Sequence, residues 1–294
     1  MKPARFDYVR AESIAHAVQA LAGAGGDSKV LAGGQSLMPM MNFRLVKPSV
    51  LVDINRIPDL DRITLEAGTL RLGALVRHRV TAQDALVARH IPVLHAAMTH
   101  VAHLTVRNRG TFCGSVCHAD PAAEMPMMTL LLDGTVHIAS PRGTRAMPAR
   151  DFLTGSLATA LEPDEMVTAV DLAIPADGTG WAFEEFSRRH GDYALAAVAV
   201  LMERRDGRAR NVRIAMMGIA DTALRLSDVE AALEGREGTA EAFDEAVARL
   251  KASLAPNSDL NASADYRRHL AGALARRALA EAWDRAREAH MEPA

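Results

Sequence analysis

The residues best equipped for chemistry lie in one stretch, Thr105 to Pro126, TVRNRGTFCGSVCHADPAAEMP. It gathers two arginines, an asparagine, two threonines, two cysteines, a histidine, an aspartate and a glutamate. Such groups add little to an apolar core. Gly110 and Gly114 punctuate the stretch, and Pro121 and Pro126 close it. Neither helical nor strand periodicity runs through it, so it reads as mostly irregular, buried or half-buried backbone. Backbone in that state needs hydrogen-bond partners. A large polar ligand lying along the stretch would supply them. A second side-chain-poor bend, Ala32-Gly33-Gly34-Gln35-Ser36, follows the short apolar run Lys29-Val30-Leu31. Its backbone N–H groups can approach a phosphate closely, and a helix starting after Ser36 adds favourable partial charge. By itself this bend reads as a tight β-to-α turn without ligand. It matches neither G-x-G-x-x-G nor G-x-x-x-x-G-K-[ST], which disfavours a standard Rossmann NAD site and a P-loop. Taken together, the two bends suggest one diphosphate-containing ligand, a flavin dinucleotide, clamped between them.

The other candidates carry plainer readings beside the functional ones. Cys113 and Cys117 with His118 and Asp120 lack the spacing and the four good ligands of a structural zinc site. Buried thiols are the expectation, since free cysteine is among the most buried residue types. Arg107 and Arg109 read equally as partners for a pyrophosphate or a partner subunit and as a solvated pair. His118 reads as a cradle hydrogen-bonder or a core histidine. Arg188, Arg189, His190 and Asp192 form a charged loop between strands that could lie near a flavin. Met38, Met40 and Met41 read as core filler. No four-cysteine set is present, so an iron–sulfur cluster would have to sit on another chain. No serine–histidine–acid array stands out, so a bound flavin would carry the chemistry itself.

The elements that must position these groups can be read in order. Phe6 to Val9 is a strand. Ser13 caps a helix with Ile14, Val18, Leu21 and Ala22 on one face. Lys29 to Leu31 is a strand, Ser36 caps a helix from Leu37 to about Arg44, and Val50 to Ile54 is the next strand. Leu60 to Leu75 reads as a hairpin turning at Glu66 to Thr69. Thr81 caps a helix reaching Leu86 or Arg89, and Pro92 opens another. Met127 to Leu132 is helical, Asp133-Gly134 breaks it, and Thr135 to Ala139 and Thr168 to Ile174 are strands. Pro175 to Gly180 has linker composition. Beyond it, Trp181 to Ser187, Tyr193 to Glu203 and Val212 to Ile219 form a three-stranded antiparallel sheet, with a hairpin turn at Arg205-Asp206-Gly207-Arg208. Ser227 caps a short helix, and further helices follow from Thr239 and from Ser263 to Ala289. In the last, Tyr266, Leu270, Leu274 and Leu279 face the core, while Arg267, Arg268, Arg276 and Arg277 mostly stay wet.

Composition sets outer limits. The 294 residues suggest one large or two ordinary domains. A formal net charge of −2 and 4% aromatics give no reason to expect nucleic acid as partner. No apolar run approaches the ~20 residues of a membrane span, so stable membrane insertion is not expected. The start has no secretory apolar region, and cysteine is scarce. The expectation is therefore the cytoplasm, with association to the inner face of the membrane left open.

At AGGQSL, TVRNRGTFCGSVCHADPAAEMP, FSRRHGDYALAAV and SADYRRHLAGALARRAL the chain resembles the FAD-binding medium subunit of bacterial molybdenum hydroxylases. That group contains carbon monoxide dehydrogenase and the flavin domain of xanthine dehydrogenase. The motifs fall in the expected order and span almost the whole chain; the T-x-x-G-S-x-x-H-A-D-P core of the second is the most specific. The resemblance implies an α+β protein. Residues 1–176 would be an FAD-binding domain of vanillyl-alcohol-oxidase (PCMH) type in two α+β subdomains, and 177–294 a C-terminal α+β domain. Lys29, Val30, Leu31, Ala32, Gly33, Gly34, Gln35, Ser36 and Leu37 would wrap the pyrophosphate, chiefly through the backbone of Ala32 to Ser36. Thr111, Gly114 and Ser115 would form a second phosphate and ribitol cradle beside His118. Asp120 and Glu124 would hold ribityl and ribose hydroxyls. Val101 would pack on adenine, Val167 would meet the flavin ring edge, and Tyr193 would lie near the isoalloxazine. No side chain is implied as general acid or base. Electrons would come from a small subunit with [2Fe–2S] clusters beside a large molybdopterin subunit, in a dimer of heterotrimers. The rival reading is a self-sufficient flavin-dependent oxidoreductase with its own substrate pocket; a non-catalytic nucleotide-binding module is a third. Two positions depart from the family pattern: Cys113 stands where glycine is usual, and Glu184 where some relatives carry lysine near the flavin.

Overall fold

The computed structural model describes residues 1–287. The expected end of the last helix, at Ala289, lies outside them. The chain opens with β1 (Asp7–Arg10) and α1 (Ile14–Gly23), whose N-cap Ser13 accepts from the His16 amide. β2 (Ser28–Leu31) runs through the first glycine bend into α2 (Leu37–Asn42), and β3 (Val50–Asp53) follows. β4 (Ile63–Glu66) and β5 (Thr69–Gly73) form the expected hairpin, with Ala67 and Gly68 both at positive φ. Short helices come next: α3 (His78–Gln83), α4 (Ala85–His90), α5 (Pro92–Ala97) and α6 (Leu104–Arg107). After α7 (Phe112–His118) and α8 (Glu124–Leu131) come β6 (Thr135–Ser140), β7 (Gly143–Pro148) and α9 (Ala149–Phe152). β8 (Leu153–Gly155), β9 (Ala158–Thr159) and β10 (Met166–Ala173) precede β11 (Gly180–Ser187), β12 (Ala194–Arg205) and β13 (Arg208–Met217). The described chain closes with β14 (Leu224–Arg225), α10 (Ser227–Leu233), α11 (Ala240–Ser253) and α12 (Ala264–Arg285).

These elements sort into two compact units. The first comprises Met1–Leu86, His103–Ala119 and Asp133–Ala173. In it β1, β3 and β2 form a parallel sheet in that order, with Asp7 and Ser28 both opposite Val50. A larger antiparallel sheet has the order β4-β5-β10-β6-β7. Helix α1 packs on β3 and β6, and α7 packs on β5 and β10. The second unit comprises Val87–Ala102, Asp120–Leu132 and the chain from Ile174 onward. Its sheet has the order β11-β12-β13-β14, with the turn between β12 and β13 made by Asp206 and Gly207, both at positive φ. Helix α12 packs on β11 and β12, α11 packs on α12, and α8 packs on β12 and β13. Strand β12 is therefore covered widely, and Ala194 to Met202 are all buried, which accounts for its unbroken apolar run.

Six expectations are corrected. The stretch from Thr105 to Pro126 is mostly helical, not irregular. Its helices are short, and the buried face of α7 is only Phe112, Cys113 and Val116, too few residues to display a period. Thr81 does not cap a helix: it lies inside α3, buried, with its hydroxyl donating to the Arg77 carbonyl. Ser36 and Ser227 also make no side-chain cap. Ser36 is the N-cap residue of α2 without a capping bond, and Ser227 is already the first residue of α10. The C-terminal sheet has four strands rather than three; β14 is two residues long and carries no alternation to read. On α12, Tyr266 is exposed and Arg267 is buried, the reverse of the expected faces, because the Arg267 guanidinium finds backbone acceptors inside.

Candidate functional site: two glycine bends and a helix face

The first bend meets the second stretch directly. A Cβ placed on Gly33 would lie 2.4 Å from the Arg109 carbonyl oxygen and 2.7 Å from the Gly110 Cα. No side chain fits there, so glycine is what lets the two backbones touch. Gly34, at φ +71°, turns the chain toward α2. Gly110 is equally confined: a Cβ there would lie 2.8 Å from the His78 ring and 3.1 Å from the Val106 carbonyl. The His78 amide donates to the Gly110 carbonyl at 2.9 Å. Burial holds the His78 imidazole neutral, with its pKa lowered to about 4 and the Arg107 guanidinium adding to the effect.

Beyond Gly110 the chain enters α7. Thr111 caps it, accepting from the Gly114 amide at 3.0 Å. A Cβ on Gly114 would lie 2.5 Å from that hydroxyl, so this cap and its glycine are matched. Residues three and four apart on a helix share a face. Phe112, Cys113 and Val116 are buried against the core, whereas Gly114, Ser115 and His118 are partly open. Thr111, Gly114, Ser115 and His118 thus form one polar stripe leading from the bend. The helix ends at Ala119, in the left-handed region at φ 51°. Cys113, where the family pattern has glycine, sits in regular helix and strains nothing. Its thiol points to the Leu72 and Gly73 carbonyls at 3.5 and 3.7 Å. Burial raises the Cys113 pKa well above the ordinary value and that of Cys117 to about 12. Among the described residues no three His, Cys, Asp or Glu side chains converge as a metal-ligand group.

Two residues that pattern reading missed bind the bends together. The Asn55 side chain donates to the Leu31 and Ala32 carbonyls at 3.3 and 2.9 Å. It accepts from Arg77 Nη2 at 2.5 Å, and Arg77 Nη1 donates to the Arg109 carbonyl. The Arg77 pKa is lowered by burial and by the neighbouring Arg109 guanidinium. The signal available in the sequence was an asparagine directly after the strand ending Val52-Asp53-Ile54.

The remaining positions stand as follows. Lys29 is exposed on β2, and Val30 and Leu31 are half-buried there. Val167 is buried in β10 opposite Ile138, in a strand that α7 packs on. In the second unit Val101 is buried, and the Asp120 carboxylate accepts from the Ala122 amide at 2.8 Å. Glu124 opens α8. Tyr193 is 67% exposed; its pKa is raised by desolvation and by the nearby Asp120 and Glu124 carboxylates. Glu184 pairs with Arg277 of α12 at 2.8 Å. The next residue, Glu185, faces the other way and is the buried acid of this strand: its Oε1 lies 3.8 Å from His100 Nδ1. The His100 ring in turn stacks with His190, centroids 6.4 Å apart.

The backbone around the first bend fits a diphosphate. Among the described residues the Gly33, Gly34 and Gln35 amides make no hydrogen bond within the protein. The adjoining Leu31 and Ala32 carbonyls are taken up by Asn55. Three successive amides are left as donors for a ligand while the Leu31 to Gly34 carbonyls are engaged, an arrangement that suits an anion. The Ser36 hydroxyl, relieved of capping, is a further donor at the same bend.

The glycine bend of the parallel βαβ unit, with its unpaired amides, suits the diphosphate of a nucleotide cofactor, and the relatives of this chain are flavoprotein subunits. The family described as FAD binding domain in molybdopterin dehydrogenase matches residues 4–176, and the CO dehydrogenase flavoprotein C-terminal domain matches 181–282. The alpha subunit of the 6-hydroxypseudooxynicotine dehydrogenase complex of Paenarthrobacter nicotinovorans is 40% identical, over 98% of this chain and 97% of its own. The carbon monoxide dehydrogenase medium chain of Hydrogenophaga pseudoflava is 37% identical over 97% and 99% of the two chains. A solved structure of the carbon monoxide dehydrogenase from that organism, lacking the Mo-pyranopterin moiety of its molybdenum cofactor, superposes with a TM-score of 0.95. It is 39% identical, with 98% of this chain and all of that chain covered. The chain belongs to the family of FAD-binding medium subunits of molybdenum-containing dehydrogenases and hydroxylases. It is an oxidoreductase flavoprotein subunit, and among its described residues no helix is long and apolar enough to cross a membrane.

Proposed function

We propose that this chain is the electron-collecting subunit of a three-subunit molybdenum hydroxylase. In that role it would hold an FAD, which would supply the two-electron chemistry linking [2Fe–2S] clusters on a small partner to an external acceptor. A large molybdopterin-bearing subunit oxidises the substrate, and two such heterotrimers associate in the cytoplasm. The fold is of vanillyl-alcohol-oxidase type, with residues 1–176 as the FAD domain and 177–294 as the C-terminal domain.

The chain's own residues bind and orient. Ala32 to Ser36 offer amides to the diphosphate, flanked by Lys29 to Leu31 and by Leu37. Thr111, Gly114, Ser115 and His118 offer the polar stripe of α7 to the second phosphate and the ribityl chain. Asp120 and Glu124 accept from ribityl and ribose hydroxyls. Val101 packs on adenine, Val167 borders the ring, and Tyr193 lies beside the isoalloxazine. The contact of Gly33 with Arg109, with the neighbouring amides left as donors, carries this reading. The natively purified complex tests it. Three chains, flavin absorption with iron–sulfur shoulders and one FAD per copy of this chain are expected. A purified chain that folds but takes up no FAD overturns it, as does an isolated chain that oxidises organic substrates unaided.

A further inference from the structure

We propose that Asn55 and Arg77 are positioning residues that set the two bends for a dinucleotide diphosphate, a role that rests on the FAD reading above. The Asn55 carboxamide stands behind the first bend. Its Nδ2 donates to the Leu31 carbonyl at 3.3 Å, to the Ala32 carbonyl at 2.9 Å and to Asp53 Oδ1 at 2.6 Å. Its Oδ1 accepts from Arg77 Nη2 at 2.5 Å. The other arm of the guanidinium donates to the Arg109 carbonyl, the oxygen that Gly33 lies against. One unbroken run of hydrogen bonds therefore joins the backbone of the first bend to that of the second. At its far end Asp53 accepts from the Asn55 amide at 2.8 Å and from the Tyr8 hydroxyl.

The relay acts by direction. Carbonyl oxygens repel a diphosphate, and amides attract it. The relay occupies carbonyls of both bends, so their peptide units cannot turn an oxygen toward the ligand. The Gly33 amide keeps its orientation because the Ala32 carbonyl of the same peptide unit is held by Asn55; the next two units are held locally, the Gly33 carbonyl by the Gln35 side chain at 3.4 Å and the Gly34 carbonyl by the Met38 amide at 3.0 Å. The Arg77 guanidinium also places a fixed positive charge directly behind the touching backbones. Arg77 spans both bends, with one arm of its guanidinium on Asn55 and the other on the Arg109 carbonyl. A planar guanidinium reaches two acceptors at once, which a lysine ammonium on one flexible stem does not reproduce.

The test uses the full chain stripped of flavin, titrated with FAD by flavin fluorescence and with ADP by calorimetry. The variants are Asn55→Ala, Arg77→Met and Arg77→Lys, each checked by melting without ligand. Both FAD and ADP, which share the diphosphate, should lose affinity by the same factor in Asn55→Ala and Arg77→Met, at least about tenfold, as expected for charge-assisted bonds. Arg77→Lys should lose less, because charge remains. Variants that bind FAD within about twofold of wild type overturn the inference, and so does a loss of FAD affinity with ADP affinity kept. If Arg77→Met does not fold, Asn55→Ala decides by the same comparison. A wild-type chain that binds neither ligand overturns the FAD reading itself, a result separable from normal FAD binding by every variant.

Discussion

Gly33 lies against the main chain of Arg109 so closely that a methyl group on its Cα would sit 2.4 Å from the Arg109 carbonyl oxygen. The obstacle is backbone on both sides, so no side-chain rotation relieves it. Gly33→Ala must push the two bends apart, at an overpacking cost of about 1–3 kcal/mol. The FAD bound by the purified chain should fall at least about tenfold, since each ~1.4 kcal/mol lost at the cradle is one decade of affinity. Gly23→Ala is the control: nothing lies within 4 Å of a Cβ there, and alanine suits the end of α1 better than glycine, by roughly 0.5–1 kcal/mol. Flavin content and melting temperature of the two variants, measured together, check the contrast.

Glu185 should make the stability of the protein fall as pH rises. Its side chain is 2% exposed and its Oε2 has no hydrogen-bond partner. Burial, and secondarily the Glu124 carboxylate, raise its pKa from the usual 4.5 to about 8. His100 beside it is desolvated, with a lowered pKa, and so offers no cation at neutral pH. The folded state thus holds a proton that the unfolded state has released between pH 4.5 and about 8. Across that window the native state binds more protons, so stability declines with rising pH, by an amount on the order of a few kcal/mol. Glu185→Gln keeps the shape and removes the charge. The variant should match wild type near the bottom of the window and exceed it near the top, in denaturant midpoints taken at both ends.

What could be read in the sequence followed from local chemistry. Glycines announced both bends, Ser13, Thr239 and Ser263 announced their helices, and Asp206-Gly207 announced a hairpin. The four motifs announced the family. What stayed hidden depends on contacts between distant positions. Asn55 is an ordinary residue after a strand until the Leu31, Ala32 and Arg77 groups are around it. Arg267 looks like its neighbours on α12 until β12 supplies a carbonyl. The helices between Thr105 and Pro126 escaped because they are short: α6 has four residues and buries none of them, and α7 buries only Phe112, Cys113 and Val116. Glu184 drew attention by comparison with relatives, while strand alternation gives the buried position to Glu185.

The Arg267 guanidinium should be worth far more than the other arginines of α12. Its Nη1 donates to the Leu195 and Gly218 carbonyls, both at 2.7 Å, and its Nη2 to Asp259 at 2.8 Å. Gly218 cannot shift to compensate: it is at φ +76°, and a Cβ there would meet the Leu195 carbonyl at 2.9 Å. Arg267→Met leaves both carbonyls buried and unpaired, at a cost of roughly 3 kcal/mol or more. Arg276 pairs with an exposed Asp244 at 2.5 Å, so Arg276→Met should cost less than about 1 kcal/mol. Urea unfolding of the two variants separates them.

Cys113 and Cys117 should behave as packing, not as reagents. The thiolate is the reactive form, and desolvation suppresses it at both positions, at the buried Cys113 and at the half-buried Cys117, whose pKa is raised to about 12. Near pH 8 the thiolate fraction at Cys117 is then about a thousandfold below that of an ordinary exposed cysteine. Iodoacetamide should label the folded chain slowly and both thiols promptly in denaturant. The denatured, flavin-free chain should have its unmodified mass. A thiol labelled at the ordinary rate while the chain is folded, or a flavin retained through denaturation, would show that one of these sulfurs faces the cofactor instead of the Leu72 and Gly73 carbonyls that Cys113 now faces. Cys113→Ala would then abolish that link, whereas for a packed thiol it should only lower the melting temperature, by the cost of a small cavity.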